Sequence, residues 1–229
     1  AVYMLYPPVF LIGPIHRYPA FKRQIERRRI QADLIALGGE RVLVGLFVTI
    51  VLGGYVTREI TEFVNTLVVE PEGFFFEWGV SAIGWVDLYF VFGGLSSVAI
   101  GCSLIAGLKL EENFNHPYRA LNLVEFWSRW HMSLTSWCRD YIYRPITTYT
   151  RKPILGVLFA MLVLGLWHET SWFYIGWSIW QATGIILSRL LQPFFEVLPR
   201  ALNLLLSPFL VLGWLSLANP VMSVLGDIL

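Results

Sequence analysis

From Trp78 to Leu108 the sequence runs for 31 residues with a single charge, Asp87. This run reads as a membrane-crossing helix, where about 20 apolar residues suffice. At about 46 Å it exceeds a single upright span, so a tilt or a break at Gly93-Gly94 is expected. Val42 to Thr57 forms a second apolar stretch between Arg41 and Arg58, short enough that both arginines snorkel to the interfaces. Pro153 to Leu187 carries only Glu169 as a formal charge and fits two short helices turning near His168 to Ser171. Leu202 to Leu217 is the last clear span. With the apolar start, Ala1 to Ile15, hydropathy predicts about six membrane segments. Charged residues are 14% of the chain and mean hydropathy is +0.60, against roughly 25% charge in a soluble domain. The fold class expected is all-α: a polytopic transmembrane helical bundle with interfacial or re-entrant helices, one membrane-embedded domain over residues 1–229.

The charges sort by segment. Seven of 17 Lys/Arg lie between Arg17 and Arg41, and seven more between Lys109 and Lys152. Residues 58–77 carry Glu59, Glu62, Glu70, Glu72 and Glu77 against Arg58 alone. The positive-inside rule puts both basic clusters in the cytoplasm and the acidic segment outside. The cluster from Lys22 to Arg29 is read as lipid-headgroup contact, with a docking face for an acidic carrier protein as the alternative. A net charge of +1 gives no argument for a nucleic-acid partner. The first residue is Ala1, and no signal-peptide pattern follows it. The chain therefore reads as a fragment lacking N-terminal helices. Cys102 and Cys138 have no metal-ligand spacing, and a structural disulfide is not expected.

Ionisable groups concentrate in residues 113–146, where Trp127, Trp130, Trp137, Tyr141 and Tyr143 alternate with Arg129, His131, Arg139, Asp140 and Arg144. Leu123, Phe126, Trp127, Trp130, Leu134, Trp137 and Tyr141 follow 3–4 spacing, which predicts one interfacial helix with one apolar face, bracketed by Pro117 and Pro145. Such a density of polar groups beside long spans usually marks a site. His168, in Gly165-Leu166-Trp167-His168, lies in the longest apolar tract of the second half. A neutral imidazole in an apolar setting has the basicity of a general base near pH 7. Arg139 and Asp140 are expected to form a local ion pair. Glu169 has two open readings: a charge that raises the basicity of His168, or part of a helix cap with Thr170 and Ser171.

Asn113-Phe114-Asn115, Pro117-Tyr118, Glu125-Phe126-Trp127, Arg129-Trp130-His131, Ser133-Leu134 and Arg139-Asp140-Tyr141 resemble the signature block of membrane-bound O-acyltransferases. The similar branch is bacterial and includes alginate O-acetylases and the D-alanyl transfer protein of teichoic acid. Gly13-Pro14-Ile15, Arg17-Tyr18 and Phe21 resemble an earlier landmark, and Gly165 to His168 the segment with the family's invariant histidine. Departures exist: Ser97 stands where an Asp is often found, Glu169 where Gly is frequent, and Thr147 to Lys152 replace a Gly-rich turn.

The resemblance implies a bundle around a central tunnel in the cytoplasmic (inner) membrane. It implies transfer of an acyl group, acetyl or D-alanyl, from a cytoplasmic thioester to a hydroxyl of an extracytoplasmic polysaccharide or cell-wall polymer. His168 would be the base, and His131 would orient the thioester carbonyl or steady its oxyanion. Asn115, Trp127, Arg129, Trp130, Arg139, Asp140 and Trp167 would contact substrate. Acyl-CoA or an acyl carrier protein would be the donor, with no bound cofactor and no metal. The acceptor would be reached directly or through partner envelope proteins, and lipid is the surrounding partner. The competing reading is a non-catalytic membrane subunit of a polymer-export or transport complex, which the near absence of charge in the spans disfavours.

Overall fold

The computed structural model describes residues 3, 5–10, 13–67 and 73–228, and these are helical with no strand. Eleven α-helices follow in order: α1 (Pro7–Phe10), α2 (Tyr18–Glu26), α3 (Ala32–Phe47), α4 (Arg58–Leu67), α5 (Phe74–Ile105), α6 (Leu123–Arg129), α7 (Met132–Cys138), α8 (Arg144–Thr150), α9 (Pro153–His168), α10 (Trp172–Val197) and α11 (Arg200–Ile228). Glu70 and Glu72 of the acidic segment lie outside the described residues. Among the described residues, three helices are long and apolar enough to cross a membrane: Ala32–Leu67, Phe74–Ile105 and Arg200–Gly226. These three contain the apolar runs 42–57 and 202–217 and the run 78–108 as far as Ile105, and the run 153–187 forms α9 and part of α10. α9 is apolar but only 16 residues long.

The chain divides into two compact units, Ala1–Val69 with Val86–Phe114, and Glu70–Trp85 with Asn115–Leu229. In the first, α3 runs into α4 through a π-helical stretch, Val48–Thr57, giving 36 continuous residues where the sequence predicts a span of 42–57. α5 passes through Gly93-Gly94 without a break, contrary to expectation. Gly94 serves packing instead. A Cβ on Gly45 would lie 2.6 Å from the Gly94 carbonyl oxygen, and one on Gly94 equally close to that of Gly45. Gly38 and Gly101 form a second such pair at 2.6 Å. Both helices place these glycines seven residues apart, on one face, so the backbones touch along two turns as small-residue membrane helices do. Asp87, the charge inside α5, accepts a hydrogen bond from the buried Thr57 hydroxyl. Arg41 forms a two-pronged ion pair with Glu112 at 2.5 and 2.7 Å and meets Ser97 at 3.5 Å, so an arginine predicted to snorkel is held by protein. α2 is amphipathic: Phe21 is buried with Tyr6 and Leu108, while Lys22 and Arg23 face outward.

In the second unit, α9 and α10 form an antiparallel hairpin. Gly165 lets them close, since a Cβ there would meet the Tyr174 carbonyl oxygen at 2.8 Å. The turn falls at Glu169 to Ser171, as the sequence predicts. Ser171 caps α10 by accepting from the Tyr174 amide at 3.4 Å, while Glu169 is exposed and extended. Trp78 at the start of α5 donates to the Gly213 carbonyl and the Ser216 hydroxyl of α11, at 3.0 and 2.9 Å. Trp180 of α10 stacks on Trp214 at 4.4 Å.

The predicted single interfacial helix is not continuous. α6 ends at Arg129, Trp130 is extended, and His131 sits at φ 43°, ψ 51° before α7 begins. Pro145 does not end the helical part either; α7, the π-helical Arg139–Tyr143 and α8 are continuous, and Pro145 lies just after the π-helical turn. α8 closes at Arg151, which takes a left-handed conformation (φ 55°) where glycine would be at ease. Cys102 and Cys138 are both free thiols.

Candidate active site

The site is built in the second unit from the α6–α7 junction and the α9–α10 turn. α6 starts firmly. Asn122 accepts from the Glu125 amide at 2.8 Å, and Glu125 reaches back to the Leu121 amide at 2.8 Å, a reciprocal cap. Arg129 then clamps the end of α6, with Nη2 2.7 Å from Glu125 and Nη1 3.2 Å from the Asn115 carbonyl oxygen. The Asn115 amide donates to the Arg129 carbonyl at 2.9 Å, so the preceding loop is pinned to this end of the helix. Trp130 stacks on Phe126 at 5.4 Å and meets Trp85 edge-on at 5.2 Å. Held between this clamp and α7, His131 adopts the left-handed region. That conformation costs a non-glycine residue about 1–3 kcal/mol and is concentrated at functional positions.

His131 is buried at 6% exposure. Burial, and after it the neighbouring His168, lowers its imidazole to about 4, so it is neutral at physiological pH. Its ring meets Trp167 edge-on at 6.0 Å, and Trp167 meets His168 at 5.0 Å. The two histidines thus flank one indole. His168 is the last residue of the apolar helix α9, at the turn expected from the sequence, with its side chain exposed. Its ring stacks on Tyr174 at 5.6 Å and meets Trp177 at 6.3 Å. Trp177 continues to Trp127 at 5.9 Å. An aromatic wall therefore runs from α9 through α10 to α6, open at His168 and closed at His131.

Of the residues singled out in the sequence, the structure groups His131, His168, Trp167 and Trp127 along this wall, with Trp130 packing behind His131. Asn115 and Arg129 form the clamp on α6. Arg139 and Asp140 pair at 3.1 Å, as expected, and Asp140 also takes Arg144 at 3.0 Å, making a surface ion cluster on a π-helical turn after α7. Tyr174, Trp177 and Gln181 were missed. The signal was present: 174, 177, 178, 181 and 184 follow helical spacing directly after the His168 turn and make one face of α10.

The model of the MBOAT, membrane-bound O-acyltransferase family matches residues 1–222. The chain is 33% identical over 215 residues to the probable alginate O-acetylase AlgI of Pseudomonas aeruginosa, covering 90% of this chain and 40% of that protein. It is 27% identical over 201 residues to the teichoic acid D-alanyltransferase of Streptococcus thermophilus (81% and 48%), and 29% identical over 226 residues to the peptidoglycan O-acetyltransferase of Helicobacter pylori (93% and 42%). The chain spans less than half the length of these relatives. A match over nearly the whole chain, on a helical fold with three membrane-length apolar helices, establishes its affiliation: the chain belongs to the membrane-bound O-acyltransferase family.

Proposed function

We propose that this chain carries the catalytic part of an O-acyltransferase of the cell envelope. In this reading it moves an acyl group, acetyl or D-alanyl, from a cytoplasmic thioester on CoA or a carrier protein to a hydroxyl of an envelope polymer. The observation that carries the proposal is the pairing of His131 and His168 about Trp167. The names of the relatives, which act on alginate, teichoic acid and peptidoglycan, support the acceptor class. The setting is the cytoplasmic membrane, where a thioester made inside and a polymer outside meet at one site.

The chemistry follows from the groups available. His168, at the exposed end of α9, takes the proton of the acceptor hydroxyl as its oxygen attacks the thioester carbonyl. The C–O bond forms, the carbonyl oxygen gains charge, and the neutral His131 donates its ring N–H to it. Collapse breaks the C–S bond, and the departing thiolate takes the proton back from His168. His131 must stay neutral in this scheme so that its imidazole is fixed rather than hydrated, which its burial favours.

The test is His168→Ala in the full-length protein. An exposed imidazole leaves no buried cavity, so insertion and folding should persist. Loss of the general base should lower acyl incorporation into polymer by about 100- to 10,000-fold, normalised to protein in the membrane. Incorporation near the wild-type level would leave the non-catalytic reading standing instead.

A further inference from the structure

Gln181 is fully buried at 0% exposure, and neither its carboxamide oxygen nor its nitrogen has a hydrogen-bond partner among the described residues. The indole N–H of Trp127, a residue 5% exposed, is also without one. The Trp214 indole N–H, which a Cβ on Gly184 would run into, is a third such group beside this face of α10. Buried amides and indoles are nearly always satisfied, so these side chains call for a partner beyond the described protein atoms, water or ligand.

The register of the seam brings them together. α6 and α10 run antiparallel. A Cβ on Gly184 would lie 2.5 Å from Leu123 Cδ1, and the Leu123 amide donates to Ser188 Oγ at 3.3 Å. Four residues along α6, Trp127 meets Trp177. Gln181 lies between Trp177 and Gly184 on the same face of α10, four residues from one and three from the other. It therefore faces the turn of α6 that carries Trp127. Trp177 is also the ring beside His168, so these polar groups sit one indole away from the proposed base.

Their chemistry restricts what they can hold. The carboxamide offers a donor and an acceptor, and the indole a second donor. The seam supplies no free charge, because Glu125 and Arg129 of α6 pair with each other. The complement is a neutral group that both accepts and donates hydrogen bonds. We propose that Gln181 and Trp127 form a subsite that positions such a group, an amide or a hydroxyl of one substrate, while His168 acts on the reacting atom. The proposal rests on the acyl-transfer reading above. The group has two possible sources: an amide in the thiol arm of the donor, or a second hydroxyl on the acceptor.

The experiment uses full-length protein in vesicles and two acetyl donors. S-acetyl-N-acetylcysteamine carries an amide close to its sulfur, and ethyl thioacetate does not. An oligouronate serves as acceptor. Gln181→Met keeps the length of the side chain and removes both polar atoms. If the group is on the donor, the wild type prefers the amide-bearing thioester by about tenfold in kcat/KM, and the variant loses that preference. If it is on the acceptor, donor preference is unchanged and KM for the oligouronate rises by about tenfold. Trp127→Phe, which deletes the N–H, should move the same parameter in the same direction, and it carries the test if Gln181→Met fails to fold. Values within about twofold of wild type for both donors and the acceptor overturn the subsite. An inactive wild type would instead count against the acyl-transfer reading, whereas an inactive His168→Ala with an unaltered Gln181→Met removes only this proposal.

Discussion

His131 concentrates several demands in one residue. Its backbone is left-handed, its side chain is buried, and its imidazole is held at about 4 beside His168. An unfolded histidine titrates near 6.5, so between pH 6.5 and 4 the unfolded chain binds a proton that the folded chain refuses. Stability should then fall as pH drops through that window, by up to about 3 kcal/mol at its lower end. His131→Asn keeps a residue that tolerates left-handed backbone and still donates a hydrogen bond, but it does not titrate. Thermal melts in detergent should decline less steeply from pH 6.5 to 4 for the variant, and parallel slopes would rule out a buried neutral His131 as the cause. In acyl transfer His131→Asn should be milder than His131→Ala, because only the amide can still polarise the carbonyl. An order reversed in the incorporation assay would remove that role.

At the scale of elements, the legible features were those written in long runs. α5, the core of α3 with its continuation, and the α9–α10 turn follow from apolar length and from Ser171. The break at His131 was not legible, because the 3–4 spacing from Leu123 to Tyr141 continues across it in the sequence. The clamp made by Glu125, Arg129 and Asn115 holds the end of α6, and it needs a loop 14 residues away from Arg129. The role of Gly94 was misread for a related reason. A glycine in a helix announces either a bend or a close neighbour, and the neighbour, Gly45, is distant in sequence. This gives a sharp expectation. Gly45→Leu should force α3 and α5 apart at a backbone contact and destabilise the fold by about 1–3 kcal/mol. Gly39→Ala, at a position where an added Cβ meets nothing within 4 Å, should be neutral or slightly stabilising. Melting temperatures of the two variants in the same detergent check this, and equal shifts would remove the glycine contact as a stabilising feature.

For the molecule as a whole, the decisive asymmetry is electrostatic. The 36-residue helix from Ala32 to Leu67 joins a segment carrying six of the 17 Lys/Arg, Arg17 to Arg29, to one whose charges are mostly glutamates. Hydrophobic length determines that the helix crosses, while the arginines and lysines decide which end stays inside. Arg41 does not weaken that argument, since its charge is matched within the protein by Glu112 and the bias rests on Lys22, Arg23, Arg27, Arg28 and Arg29. In the proposed reaction the thioester comes from the cytoplasm, so the proposed direction of acyl flow depends on this orientation. The check is single-cysteine labelling in intact cells after replacing Cys102 and Cys138. Cysteine at Asn65, exposed on α4, should react with a membrane-impermeant maleimide added outside. Cysteine at Arg23 on α2 and at Thr148 on α8, both exposed and both in basic segments, should react only after the membrane is opened. Labelling of Arg23 from outside with Asn65 protected would invert the chain in the membrane. It would also reverse the direction of acyl flow in the proposed reaction.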